Sequence, residues 1–148
     1  MNQVLTPPQG FVLDIFQREF HFKDLSSLWE KLQRRETFTQ GQLFPYRVEF
    51  AANSQEGEFS PGELNIHHGP LLSVHGAIGE ISPTYRSLDY FYGSYVISFR
   101  LIRPFRLEFF RKDQVLTVKL HTFVRPWFKP LWRVLNQIFW SAFRLSFR

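Results

Sequence analysis

The sequence predicts an α+β fold: a curved antiparallel β-sheet of about six or seven strands with one long C-terminal α-helix laid across it. Three observations predict it. The final stretch, Trp127 to Arg148, is helix-length and apolar around most of its circumference. Upstream, apolar and polar residues alternate in short runs, the pattern of half-buried strands. The connections between these runs are too short to hold crossover helices, so successive strands pair antiparallel. A sheet with one apolar face must be covered, and the terminal helix is the element long and apolar enough to cover it.

Taken in order, Phe11 to Phe22 is rich in Phe, Val and Ile and reads as a first strand. Asp24 is placed to cap the helical run LSSLWEKLQRRE, in which Leu25, Leu28, Trp29 and Leu32 recur at helical spacing. After Pro45, Tyr46, Val48, Phe50 and Ala52 share one strand face, while Arg47 and Glu49 take the other. The polar stretch Asn53 to Gly62 is a loop. Glu63–His68, Leu71–Ile81 and Tyr85–Val96 read as strands, divided by Gly69-Pro70 and Ser82-Pro83. A further strand runs from Ile97 to Phe110, with Pro104 marking a break, bulge or edge. Arg111 to Gln114 forms a turn, and Val115 to Val124 the last strand. In the terminal helix Pro130 falls in the first turn, where it is tolerated, and Arg133, Gln137, Ser141, Arg144 and Arg148 align as a narrow polar stripe.

A chain of 148 residues is most naturally one domain over 1–148, large enough to bury roughly two thirds of its unfolded surface. Eighteen Phe against one Met point to rings filling or lining an interior. The absence of cysteine removes disulfides, thiolate metal sites and Cys nucleophiles together. Met1 to Gly10 lacks the basic and apolar regions of a signal peptide, and no uncharged apolar run is long enough to span a bilayer. These features fit a cytoplasmic protein. Charge is lopsided, at −4 over residues 1–80 and +9 over 81–148. A basic, aromatic C-terminal half can meet phosphate in nucleic acid or lipid; equally, alternating Arg side chains can simply solvate the outer face of a sheet.

Several stretches carry a family likeness. Gly79-Glu80-Ile81-Ser82-Pro83 followed by Tyr85-Arg86-Ser87-Leu88-Asp89-Tyr90 is similar to a strand ending in a Pro turn before an Arg-then-aromatic strand. Val115–Phe123, then Arg125-Pro126 and a helix holding Asn136 and Trp140, is similar to a closing strand and grip helix. With the element order, this resembles the helix-grip fold of the START-like (SRPBCC) superfamily, which includes birch-pollen-allergen and polyketide cyclase-like proteins. The resemblance implies a cavity between sheet and helix that holds a sterol, lipid, polyketide or hormone, with catalysis in a minority of members. Fold alone does not choose among these.

Five histidines invite a metal reading, but no His-Glu-x-x-His spacing occurs, and adjacent His67 and His68 on a strand point to opposite faces. No metal and no cofactor is expected. For acid–base chemistry the candidates are His68 and His75, with Glu63 close in sequence; a His in a cavity can equally just orient a ligand. No nucleophile elbow or phosphate loop is present. The expected ligand lining is Phe50, His75, Tyr90, Tyr92, Phe99, Leu101, Leu135 and Phe139, with alternation sending Leu88, Tyr90 and Tyr92 to one face. Arg100, Arg103, Arg106 and Arg111 with Phe99, Phe105 and Phe110 can be drawn as a platform for single-stranded nucleic acid, but the strand order and motifs of such platforms are missing.

Three functions therefore stand at the level of sequence. The first is a carrier or sensor holding an apolar small molecule or lipid under the C-terminal helix, reached between Gly57–Gly62 and Gly69–Pro70. The second is a cyclase- or hydrolase-like enzyme in the same cavity. The third is attachment to an anionic membrane surface, with Arg133, Arg144 and Arg148 at the headgroups and the helix's Trp and Phe rings below them.

Overall fold

A computed structural model of the chain describes residues 5–40, 47–54, 56–69, 72–94 and 100–146. The elements run β1 (Val12–His21), α1 (Leu25–Lys31), α2 (Arg35–Gln40), β2 (Arg47–Phe50), β3 (Leu64–Gly69), β4 (Leu72–Ile81), β5 (Tyr85–Ser94), β6 (Ile102–Lys112), β7 (Val115–Val124) and α3 (Lys129–Ser146). The strands make one antiparallel sheet in the order β1-β7-β6-β5-β4-β3-β2. Strands β2 to β7 meander, as their short connections require, and β1 returns to lie beside β7, with Val12 opposite Val124 and His21 opposite Val115. Asp113, at φ 53°, takes the left-handed position in the β6–β7 turn, a conformation Asp tolerates better than most side chains.

The α1 segment follows its sequence signals closely. Asp24 Oδ1 accepts from the Ser27 amide at 3.1 Å, and Leu25, Leu28, Trp29 and Leu32 are buried. The helix ends at Lys31, however, and α2 is a separate helix rather than its continuation. Arg86 from β5 marks the junction. Its guanidinium donates to the Trp29 carbonyl and to Gln33 Oε1, and it lies 4.1 Å over the Trp29 ring. Burial, then neighbouring Arg111, pulls the Arg86 pKa down to about 10. A cation on the carbonyls at the end of α1 ties that helix to the sheet.

Three register shifts, one between β6 and β7 and two between β4 and β5, break the simple alternation. Between Pro104 and Arg106 the register slips by one residue, so buried Ile102 and Pro104 share the concave face with Leu107 and Phe109. Phe105 is thrown to the convex side, where it stacks on Phe123 at 4.7 Å. The second bulge follows His75: Gly76 pairs with Tyr90, but His75 pairs with Tyr92, leaving Phe91 as the extra residue. Phe91 is 59% exposed.

Helix α3 is laid across the concave side. Phe128, Trp132, Asn136 and Trp140 are buried beneath it, with Phe139 and Phe143 against the same core. Trp140 and Phe143 pack on Phe109 of β6, and Phe143 lies near Phe20 of β1. The polar stripe read from the sequence faces β1. Arg133 donates twice to Asp14 Oδ1, at 3.0 and 2.8 Å, and Arg18 donates to Ser141 Oγ at 2.8 Å and to the Gln137 carbonyl at 3.2 Å. Asp14 is almost wholly buried, so Arg133 is its main compensation and fixes the helix over the strand.

Candidate functional site

The concave face is not uniform. Under α1 and α3 it is filled by Phe16, Phe20, Leu116, Val118 and Leu120 together with Trp29, Trp132 and Trp140. Towards the β2 edge, Phe50 stacks on Phe59 at 5.6 Å, and Phe38 packs on both rings. Between these regions lies a polar group of residues carried by β3, β4 and β5. Asn65 pairs with Gly76, which pairs with Tyr90, and His67 follows Asn65 on the same face of β3.

Strand alternation places these side chains together, and the bulge completes the set by bringing Tyr90 level with Gly76. Gly76 is needed for the close approach: a Cβ there would sit 3.0 Å from Leu88 Cδ1, 3.1 Å from the Asp89 carbonyl and 3.2 Å from Asn65 Oδ1. The His67 and Tyr90 rings meet edge to face with centroids 5.5 Å apart. His67 Nε2 and Asn65 Oδ1 are sealed from solvent, and neither has a hydrogen-bond partner among the described residues. Burial, with the neighbouring His68 charge adding to it, pushes the His67 pKa down to about 4, so the imidazole is neutral at pH 7. Burial raises the Tyr90 pKa, keeping its phenol protonated. The Trp132 and Trp140 indole N–H groups are likewise buried without a partner. Such groups are costly to leave unsatisfied and are rare without a reason.

Of the residues expected to line a ligand, Phe50 and Tyr90 are on the concave face, and Leu101 and Phe139 pack against the core. His75 is not on that face. It pairs with Ile66 on β3, one step from the Ala77–Leu64 pair, and Leu64 is 48% exposed, which marks this as the convex side. His68 is on the convex side too, with its Nε2 3.6 Å from Glu49 Oε2. The one-residue phase choice that separates His67 from His68 decided this, and sequence alone did not supply it. Leu135 is 38% exposed on α3 rather than enclosed. The Tyr92 side chain and Phe99 lie outside the described residues, as does Pro70 of the expected access route. The other side of that route, Gly57 to Gly62, is strapped down: the Gly57 amide donates to Glu36 Oε2, the Phe59 amide to the Gln33 carbonyl, and Arg35 pairs with Glu63 at 2.6 Å.

A hydrogen-bonded His–Glu–Tyr set does exist, but on the convex face. Glu108 accepts from the Tyr85 hydroxyl at 2.7 Å and meets His121 Nε2 at 2.6 Å, bracing β5, β6 and β7. Burial opposes ionisation of Glu108, but those hydrogen bonds outweigh it and hold its pKa below the ordinary value. Burial and the bond to Glu108 push Tyr85 up to about 12. The basic residues drawn as a nucleic-acid platform are engaged separately: Arg103 lies over Phe11, Arg106 pairs with Asp89, and Arg111 donates to Ser26. Among the described residues, no three His, Cys, Asp or Glu side chains gather as a metal-ligand set.

A seven-stranded antiparallel sheet gripping a C-terminal helix is the helix-grip fold. The chain is similar to the X-ray structure of norcoclaurine synthase from Thalictrum flavum in complex with dopamine and hydroxybenzaldehyde, with a TM-score of 0.57 and 10% identity over 99% of this chain and 94% of that one. At that identity the likeness is one of fold. No protein-family model and no curated protein matches the sequence.

Proposed function

We propose that the protein binds an apolar small molecule or lipid against the concave face, with the ligand's polar end at His67, Asn65 and Tyr90. One observation carries the reading: among the described residues His67 Nε2 and Asn65 Oδ1 are buried without partners beside the Tyr90 ring, on a largely apolar face. Ligand sites have this composition, a largely apolar lining with a few placed polar groups. A neutral imidazole and an amide oxygen suit a ligand hydroxyl, amide or protonated carboxyl better than an anion, since no buried cation stands among these three residues. Removing about 200 Å² of ligand apolar surface from water would contribute on the order of 5 kcal/mol before ordering costs, enough for micromolar binding without catalysis. We place this carrier or sensor role in the cytoplasm, where a cysteine-free chain forgoes nothing by lacking disulfides.

Native mass spectrometry of the purified protein tests the reading. A bound apolar molecule is expected on the wild type and its loss on His67→Phe with Asn65→Leu. A protein that carries no molecule and takes up no fatty acid, sterol or aromatic ligand from a panel would sink the idea.

A further inference from the structure

Helix α3 is apolar on two opposite faces. The inner face packs on the sheet, but Leu131, Val134, Leu135, Ile138 and Leu145 are 51, 53, 38, 62 and 58% exposed, and Trp127, just ahead of the first turn, is 71% exposed. At 100° per residue these positions fall on one continuous outer stripe, about 21 Å long from Leu131 to Leu145. Scattered apolar residues on a surface need no explanation; five large ones aligned along one helix, with a tryptophan just ahead of it, do.

The charges around the stripe select its occupant. The chain has no Asp or Glu after Asp113, whereas Lys129, Arg133 and Arg144 stand on α3 itself. Lys129 and Arg133 stand against Asp14 of β1, whereas Arg144 is exposed beside Leu145. At the Trp127 end, Arg100 is exposed, and Arg125 donates to its carbonyl, bringing two more cations to that end. A second copy of the chain docked through this stripe would set these cations against their own kind, since a two-fold interface meets itself. A bilayer surface of anionic lipid would neutralise them while accepting the apolar side chains.

We propose that the outer face of α3 docks on an anionic membrane surface, with Trp127, Leu131, Val134, Ile138 and Leu145 entering the headgroup–acyl boundary. This reverses the face expected from sequence: Trp132 and Trp140 are 7 and 4% exposed and stay within the protein core. The inference does not rest on the ligand-binding reading and stands if that reading fails. No helix among the described residues is long and apolar enough to cross a membrane, so the contact is interfacial.

The test uses the full chain with vesicles of phosphatidylcholine alone and with 30% phosphatidylserine. Co-sedimentation is expected with the anionic vesicles and should weaken roughly tenfold or more in Leu131→Glu/Ile138→Glu, whose positions are exposed and leave the core intact. The other three tryptophans are buried, at 3, 7 and 4% exposure, so a blue shift of emission on binding reports Trp127 and should vanish in Trp127→Phe. Binding should also fall as salt is raised. No shift with anionic vesicles, undiminished binding of the double Glu variant, or a stable dimer that the same two substitutions dissociate would each overturn the proposal.

Discussion

The two ends of the concave face answer the same requirement in opposite ways. Under α3, β1, β7 and β6 present Phe16, Phe20, Leu116, Val118 and Phe109, which meet Trp140 and Phe143 as a run of rings and aliphatic side chains, with the Asp14–Thr122 pair and the indole N–H groups as the polar exceptions. On β3 to β5 the equivalent positions carry Asn65, His67 and Tyr90 around a glycine. The first arrangement is mostly close-packed rings with its polar atoms dispersed among them; the second gathers its polar side chains around one glycine. A protein selected for stability alone would extend the first pattern across the sheet. The difference separates the part of the core that holds the fold from the part we propose for recognition.

Substitutions should behave differently at the two ends. Phe20→Ala, at a position 1% exposed, should cost about 3–5 kcal/mol in urea unfolding, because the cavity it leaves is walled by fixed rings. Lowering the pH should weaken the polar end. The His67 pKa is depressed to about 4, so the unfolded chain takes up a proton that the folded one refuses; stability is complete above about pH 6.5 and declines as pH falls towards 4. The loss is at most about 3 kcal/mol, and denaturant midpoints at pH 7 and 4.5 should show it. Glu108 adds its own loss as pH falls through the carboxylate range, and His67→Phe, which removes only the histidine's share, separates the two.

Asp14→Ala should cost about 1–3 kcal/mol and loosen α3 from β1, read as faster amide exchange along the helix, since it removes the acceptor of Arg133 without opening the apolar end. The smallest effect belongs to His67→Phe at pH 7. A change within about 1 kcal/mol of wild type is expected there, because a buried nitrogen without a partner among the described residues contributes little to stability. A loss as large as that of Phe20→Ala would erase the contrast between the two ends.

Most of the architecture was legible in the chain, and the reasons are local. Asp24 ahead of Leu25, Leu28 and Trp29 announces α1; Asp113-Gln114 between alternating runs announces the last hairpin; the helical stripe Arg133–Gln137–Ser141 finds its partners on β1. What escaped was phase. A bulge at Phe105 and another at Phe91 each shift alternation by one residue, and neither Pro104 nor Gly93 says on which side the extra residue falls. Separately, the unbroken pairing of β3 with β4 puts His67 on the concave face and His75 on the convex one, a phase that alternation alone leaves open. The outer stripe of α3 was visible as apolar residues, but an all-round apolar helix does not reveal which side meets the sheet until Trp132, Asn136 and Trp140 are seen beneath it.

The pairing of β1 with β7 has a consequence for how the chain is made. Asp14 waits for Thr122 across the sheet and for Arg133, 119 residues further along, whereas β4 to β7 can zip up hairpin by hairpin as they appear. During synthesis β1 therefore stays without its neighbour until β7 and α3 have left the ribosome, and the slow, long-range closure that seats strand and helix together follows the hairpins.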